Sequence, residues 1–476
     1  MPDASPRTPV EDDSKYLLHS DKAWVNVAMF CPTIETFTLA QGFTQEHRQS
    51  LQGAVSQVVK ANPILMGHVT LEQGCLYLTP NAFSLEKHAF FEEMDVSDQV
   101  PSSFQFTDEN HNSLDESIQF MTDTIVPLVK HQRGTGRSEV KNKSPLFSFT
   151  LFTLTGSIIC YKMSLSHLIG DASTYYALMD QVNSALKTEP LEPINWDNPF
   201  AKTSGILPDQ CSERDRYRMT GMPILMCVLR NLPSLPFRKA KCFFFDQKAI
   251  DEKKLSLVNR TQHDFLSTND IIMSALCRMN RTAKLISMAI NRRGRTKGVE
   301  DRDGGIFIMS PVFDPEAGKD PNVIRQVVKG GGYFQPDQVP LQPYLQGKVG
   351  CVTNWATLTT FLNMRGVKTL CHMPCPVFFE APMDGCVIFK VTDDCTAVCC
   401  NFPVHNVEDD LFLKDIILHE GDNSKVELNE TVSKNKKRSW LGFHPNKSNI
   451  ALASALTVAG AVAVQSALGS SRNFKR

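Results

Sequence analysis

A histidine and an aspartate stand four positions apart in the segment MSLSHLIGDAS, residues 163–173. His167 ends an apolar strand pattern, and Asp171 precedes a helical one. A neutral imidazole at a strand end can project into a cleft, and it is well suited to take up a proton near pH 7. Asp171 could orient that imidazole, or it could simply cap the following helix, because aspartate is a favoured N-cap residue. From these residues alone, the capping interpretation is the commoner outcome.

The segments on either side of this pair have clear periodicities. Before it, LFSFTLFTLT and IICYKMSLS flank a turn at Gly156 and Ser157, a pattern typical of a β-hairpin. After it, ASTYYALMDQVNSALK places apolar side chains on one helical face. The sequence therefore predicts a strand that ends at His167, a turn, and a helix that begins just after Asp171.

The composition indicates a globular protein with a large core. The chain has 476 residues, of which 42% are hydrophobic and 21% charged, enough for two packed domains. Its net charge of −1 gives no general attraction for nucleic acid, so no nucleic-acid partner is expected. The N-terminal MPDASPRTPVEDDSKY lacks the apolar core of a secretory signal. The 14 cysteines are scattered without zinc-ribbon spacing, so we expect reduced, buried thiols and no metal site.

Changes in composition divide the chain into five segments. We expect a disordered N-terminus at 1–20, a first α/β subdomain at 21–190, a Pro-rich crossover at 191–238, a second α/β subdomain at 239–430, and a C-terminal tail at 431–476.

Two apolar segments leave alternatives open. In the tail, the basic KNKKR precedes an uncharged stretch at 449–471, followed by the basic RNFKR. This pattern fits a membrane contact, which would attach a cytoplasmic protein to a membrane. It fits equally a helix packed on the protein or a disordered tail. Within the crossover, the apolar stretch at 219–237 indicates either contact with a lipid-like substrate or a buried linker helix.

HLIGDA after a strand resembles the HxxxD motif of the chloramphenicol acetyltransferase-like superfamily, which includes the BAHD acyltransferases, wax ester synthases and condensation domains. Further segments resemble BAHD proteins in the family's order, across roughly residues 25 to 405. They are LQGAVSQVVKANPILMGHV, LSTNDIIMSALCR, MAINRRGR, GGGYFQP, VTNWATLTTF and CPVFFEAPMDGCVIF.

The resemblance implies a fold and a reaction. The fold would be α/β, with two chloramphenicol acetyltransferase-like subdomains, each a mixed β-sheet flanked by helices, and an active-site tunnel between them. The reaction would move an acyl group from acyl-CoA, a co-substrate rather than a bound cofactor, to a small-molecule or lipid-like hydroxyl acceptor rather than an amine. The protein would act as a monomer.

The resemblance also assigns roles to residues. His167 matches the general base of the family. Asp171 matches a structural aspartate that pairs with an arginine, for which Arg293 is the best match and Arg292 and Arg295 are competitors.

Four more residues fall at positions that line the family's site. Asn354 and Trp355 lie near the reacting carbonyl in the resemblance, where Asn354 either donates to the oxyanion or satisfies its own backbone. Thr268 and Asn269 either contact the substrate or only cap a helix.

Two departures from the family pattern mark this chain as divergent. Ser166 stands where the wax ester synthases and condensation domains have a first histidine, which disfavours condensation on carrier proteins. The DFGWG segment of BAHD proteins is absent near LCHMPCPVF, and His372 in that stretch receives no role. The alternative function is a non-catalytic relative that binds a metabolite or a partner protein.

Overall fold

The computed structural model describes the chain in ranges separated by gaps. These ranges are residues 16–19, 25, 29, 33–84, 90–100, 125, 136–197, 222–231, 233–234, 241–258, 265–330, 338–374, 384–404 and 407–418. The tail at 431–476, with its uncharged segment at 449–471, lies outside the described residues, as does most of 1–20. Within the described ranges, no helix combines the length and the apolar character needed to cross a membrane.

Both halves of the chain contain strands and helices. The strands are β1 (Tyr16–His19), β2 (Ile34–Gln41), β3 (His68–Glu72), β4 (Cys75–Thr79), β5 (Phe91–Asp95), β6 (Phe147–Thr155), β7 (Ile158–Leu165), β8 (Lys241–Asp246), β9 (Leu285–Asn291), β10 (Ile308–Met309), β11 (Val312–Phe313), β12 (Val349–Asn354), β13 (Lys368–Pro374), β14 (Asp384–Lys390), β15 (Cys395–Cys400) and β16 (Ile417–Leu418). The helices are α1 (Gln45–Ala61), α2 (Gly136–Asn142), α3 (Ala172–Leu186), α4 (Met222–Asn231), α5 (Gln247–Val258), α6 (Thr268–Met279), α7 (Pro315–Gly318), α8 (Pro321–Gly330), α9 (Gln342–Gln346) and α10 (Leu411–Ile416).

Two mixed sheets organise the molecule, as the fold class predicted. The first has five strands in the order β13-β2-β7-β6-β5, with β5 and β6 parallel and the other neighbours antiparallel. The second has eight strands in the order β10-β9-β12-β14-β15-β8-β16, with β11 also paired to β9. The strands β9, β12 and β14 run parallel at its centre. A small third sheet, β1-β4-β3, flanks the first half.

The elements around His167 form where the local sequence favours them. The predicted hairpin is confirmed as β6 and β7, joined through Gly156 with a positive φ of 50°. Asp171 is the N-cap of α3, because its side chain accepts a hydrogen bond from the Thr174 amide at 3.0 Å. Tyr175 of α3 bonds through its hydroxyl with Thr36 of β2 at 2.7 Å, so this helix packs directly on the first sheet.

The structure corrects the predicted extent of disorder at the N-terminus. Residues 16–19, within the segment 1–20, form β1, because the apolar run Tyr-Leu-Leu-His pairs with the edge of β4. Leu17, for example, lies opposite Tyr77.

The apolar part of the crossover contains the helix α4. Cys227 of α4 is fully buried in a cluster with Leu285 and Tyr344 of the second half. The Asn231 side chain donates to the Gly347 carbonyl at 2.9 Å. Residues 222–231 of the crossover therefore form a helix packed on the second half, and the contact with a lipid-like substrate stays a prediction.

One strand lies in the half opposite to its place in the sequence. β13 falls within the range 239–430 predicted for the second subdomain, but it pairs antiparallel with β2 in the first sheet. His372 of β13 lies opposite Thr38, and Met373 lies opposite Phe37. The two halves are thus joined by a shared sheet as well as by the crossover, and the exact domain limits stay a prediction.

Candidate active site

His167 lies in the turn between β7 and α3, two residues beyond the last residue of the strand. The turn is closed by a hydrogen bond from the Ile169 amide to the Ser166 carbonyl at 3.2 Å. The Nδ1 atom of His167 is 2.9 Å from the Gly170 carbonyl oxygen. Because a carbonyl only accepts, Nδ1 carries the proton, and Nε2 keeps its lone pair. The half-buried imidazole therefore presents Nε2 as its basic nitrogen.

The surroundings of His167 keep it neutral near pH 7. Burial lowers the pKa of His167 below its ordinary value, while the charge of Asp171 and the hydrogen bond to Gly170 oppose that shift in part. A base must be unprotonated to work, so this direction favours proton abstraction at neutral pH.

Asp171 makes four hydrogen bonds around the start of α3. Its Oδ1 accepts from the Thr174 amide at 3.0 Å and from the Thr174 hydroxyl at 3.3 Å. Its Oδ2 accepts from Arg293 Nη1 at 2.8 Å and from the Phe307 amide at 3.0 Å. Burial by itself raises the pKa of Asp171, but the Arg293 charge and these hydrogen bonds outweigh burial and hold the pKa below its usual range. Both carboxylate oxygens of Asp171 therefore accept hydrogen bonds, Oδ1 from the start of α3 and Oδ2 from the second half.

Arg293 is the arginine that lies against Asp171. Its guanidinium is buried and also donates to the carbonyls of Asp303 and Gly305, at 2.7 Å and 3.0 Å. Arg292 is buried as well, but its Nε donates to Thr296 at 3.0 Å. Arg295 is exposed. Of the three candidate arginines, the structure brings only Arg293 to the motif.

The backbone of the second half also forms hydrogen bonds with the segment that follows His167. The Asp171 amide donates to the Gly305 carbonyl at 3.1 Å, and the Thr174 hydroxyl bonds to the same residue. A side chain at Gly304 would collide with Trp196, since its Cβ would lie 2.5 Å from the indole. The turn that carries His167 is therefore seated at the junction of the two halves.

Asn354 and Asn269 form a second group. Asn354 ends β12, and its Nδ2 donates to Asn269 Oδ1 at 2.8 Å, while its Oδ1 accepts from the Ala356 amide at 2.9 Å. Asn354 therefore satisfies its own backbone and keeps one further amide proton beyond the bond to Asn269.

The remaining two predicted residues have structural contacts. Trp355 is buried in the core of the first half, and its indole nitrogen donates to Thr353 at 3.1 Å. Thr268 is the first residue of α6, whose cap is formed by Ser267 and Asp270 instead. The described contacts thus place Asp171 with Arg293, and Asn354 with Asn269, in two separate groups.

Sequence reasoning did not find the hydroxyl groups that support the turn. Thr174 could have been found, because it stands three residues after the N-cap, where capping contacts occur. Ser166 is wholly buried, and its hydroxyl donates to Glu139 Oε2 of α2. No local pattern links residues that are 27 positions apart, so Glu139 carried no signal.

Comparison with known proteins places the fold. No family model matches the chain, and no curated protein matches its sequence. Among solved structures, the chain is similar to F. graminearum TRI101 complexed with coenzyme A and T-2 mycotoxin, with a TM-score of 0.54 at 12% identity, covering 85% of this chain and 99% of that one. It is similar to vinorine synthase, with a TM-score of 0.52 at 13% identity, covering 83% and 91%.

A third similar structure is the first condensation domain of the CDA synthetase, with a TM-score of 0.50 at 9% identity, covering 85% of this chain and 96% of that domain. The chain has the chloramphenicol acetyltransferase-like fold. His167 and Asp171 lie at the turn between β7 and α3, at the junction of the halves. Among the residues that the structure describes, no His, Cys, Asp and Glu side chains gather as a metal site requires.

Proposed function

We propose that the protein is an acyl-CoA-dependent acyltransferase that uses His167 as the general base and a hydroxyl compound as the acceptor. The observation that carries the proposal is the imidazole itself. It is half-buried, fixed by Gly170 through Nδ1, and left with a basic Nε2 at the junction of the two halves. The likeness in fold to TRI101, crystallised with coenzyme A, supports the choice of donor.

The proposed reaction needs no covalent acyl-enzyme. Nε2 of His167 takes the proton of the acceptor hydroxyl as its oxygen attacks the thioester carbonyl. The tetrahedral intermediate then collapses, the carbon–sulfur bond breaks, and the CoA thiolate takes the proton back from the imidazolium. Ester and CoA leave, and His167 returns to its neutral form.

The negative charge on the intermediate needs a hydrogen-bond donor. Asn354 is our candidate, because one of its two amide protons is not used by Asn269. Its side chain is held by bonds to Asn269 and Ala356, so it requires little reorganisation when charge develops.

The test is release of CoA thiol from acyl-CoAs of graded chain length with pooled alcohols and amines. His167→Ala should lose activity by about 10²–10⁴-fold, as expected for removal of a general base. His68→Ala is the matched control, since His68 is also half-buried but lies on β3 in the small third sheet. Turnover by His167→Ala equal to that of the wild type contradicts the proposal. Preferred turnover of amines overturns the choice of a hydroxyl acceptor.

A further inference from the structure

The start of the His167 turn is held by a buried contact that the proposed reaction does not use. The Ser166 hydroxyl donates to Glu139 Oε2 and accepts from the Leu168 amide at 3.3 Å. The same residue's carbonyl accepts from the Ile169 amide. Ser166 therefore links helix α2 to Leu168 and Ile169, the two residues that follow His167.

Glu139 is an unusual residue to bury at this place. It is only 3% exposed, and its Oε1 accepts from the Thr33 hydroxyl at 2.8 Å. Burying a carboxylate costs free energy unless hydrogen bonds compensate. Hydroxyl donors on both oxygens supply that compensation and fix the carboxylate in one orientation. The contact is thus a rigid connection between α2, the segment before β2, and the turn.

A chemically similar pair lies two residues earlier in the sequence, on β7. The hydroxyl of Ser164, also wholly buried, donates to Glu35 Oε1 at 2.8 Å. Glu35 is paired in turn with Lys162 of β7 at 3.3 Å. Ser164 lies inside β7, opposite Glu35 of β2. That pair joins two strands, whereas the Ser166–Glu139 pair joins a helix to the turn of His167.

We propose that Ser166 and Glu139 are positioning residues for His167. They hold the turn in the conformation in which Nδ1 donates to the Gly170 carbonyl, and so they select the tautomer with a basic Nε2. The two ends of the turn are then fixed by two buried carboxylates, Glu139 at Ser166 and Asp171 at Arg293. The inference rests on the proposed role of His167 as the base.

The direct test is nitrogen-15 NMR of the histidine side chains, which distinguishes the two tautomers. His167→Ala assigns the signal. The wild type should have its proton on Nδ1, and Ser166→Ala should lose this tautomer as its main form. Glu139→Gln keeps an acceptor oxygen but presents amide protons to Thr33 or Ser166, so it should change the signal less. Ser164→Ala is the matched control and should leave the His167 signal unchanged.

Kinetics on the acceptor found in the screen give the second readout. Ser166→Ala should lower kcat by about 10- to 100-fold, the scale expected for a misplaced catalytic group. The KM for acyl-CoA should stay the same, since the Ser166 side chain is wholly buried. Ser164→Ala should keep both constants, even if its melting temperature falls equally.

The two proposals fail in different ways. A wild-type His167 protonated on Nε2, or an Nδ1 tautomer that survives in both Ser166→Ala and Glu139→Gln, overturns the positioning role whatever the turnover. Unchanged turnover in His167→Ala overturns the proposed function while leaving the NMR result to stand.

Discussion

Asp171 performs two roles that the sequence presents as alternatives. One oxygen caps α3 through Thr174, and the other bonds Arg293 and the Phe307 amide. The cap is predictable from the helix start alone, because only nearby residues take part. The arginine pairing followed from family resemblance, and the sequence could not separate Arg293 from Arg292. The side chains of adjacent residues point in different directions, and only the tertiary structure decides which of the two arginines faces Asp171.

Asp171→Asn separates these two roles, since asparagine caps a helix as well as aspartate but carries no charge. The variant leaves Arg293 buried without its partner, so the free energy of unfolding should fall by about 3–5 kcal/mol. Because the Asp171 charge raises the pKa of His167, that pKa should drop further. The acidic limb of the pH profile of kcat/KM should then move to lower pH. Urea unfolding and the pH profile measure the two effects.

Asp410→Asn is a control with the same pair of contacts at the surface. Asp410 caps α10 through Phe412 and Leu413 and bonds Arg278 at 3.2 Å, with both side chains about one-quarter exposed. Partly exposed ion pairs contribute about 1 kcal/mol or less, so this variant should lose little stability and no activity. Equal losses of stability in Asp171→Asn and Asp410→Asn would mean that burial does not make the Asp171–Arg293 pair more stabilising than a partly exposed pair.

At the scale of elements, periodicity predicted the β6–β7 hairpin and α3, but it did not predict the partner of β13. Alternating side chains indicate a strand without stating which sheet it enters. The residue after β2 and the segment before β13 approach so closely that a Cβ at Gly42 would lie 2.1 Å from the Gly366 carbonyl oxygen. Gly42 has a positive φ of 86°, a conformation glycine adopts readily. These contacts between distant segments, which local patterns cannot encode, bring β13 into the first sheet.

His372, to which the sequence analysis assigned no role, joins β13 to its neighbours by hydrogen bonds. It is 2% exposed and bonds the Thr38 hydroxyl at 2.7 Å and the Tyr176 hydroxyl at 3.0 Å. Burial lowers the pKa of His372 from 6.5 to about 3. Since the imidazole stays neutral in the folded protein, it serves as a hydrogen-bond bridge between β2, β13 and α3.

This depressed pKa predicts how stability changes with acidity. Between pH 6.5 and about 3 the unfolded chain binds a proton at His372 that the folded protein does not. The stability that depends on neutral His372 is therefore complete above pH 6.5 and falls as the pH drops, by up to about 1.4 kcal/mol per pH unit.

Urea unfolding at pH 7 and pH 5 tests this prediction. The wild type should lose about 2 kcal/mol more than His372→Gln, whose amide can bond both hydroxyls but does not titrate. Parallel pH dependence in the two proteins would show that His372 takes up its proton without unfolding.

At the scale of the whole molecule, the two predicted subdomains are joined by contacts between residues far apart in the sequence. Arg293 bonds Asp171, β13 lies in the first sheet, and the Asn183 side chain bonds the Phe361 carbonyl and the Asn363 amide, both at 2.8 Å. Val387 and Phe389 of β14 belong to the core of the first half. The sequence predicted two α/β units but could not predict this mutual dependence, because every one of these contacts joins residues far apart in the chain.

We therefore expect the halves to unfold together. Two buried cysteines are matched probes, Cys160 in β7 of the first half and Cys277 in α6 of the second. Pulsed thiol labelling across a urea series, read by peptide mass spectrometry, should give the same midpoint for both. Labelling of Cys277 at a urea concentration where Cys160 remains protected would mean that the second half is an independent unit.

Removing the ionic contact between the halves sharpens the same test. Arg293→Gln leaves Asp171 without its buried partner, so both cysteine midpoints should move down together, by an amount that corresponds to several kcal/mol. Arg295→Gln, an exposed neighbour on the same turn, should leave both midpoints in place. A shift confined to Cys160 would indicate that Arg293 stabilises only the His167 turn. An equal shift of both midpoints means that the Arg293–Asp171 contact both holds the His167 turn in place and stabilises the two halves as one unit.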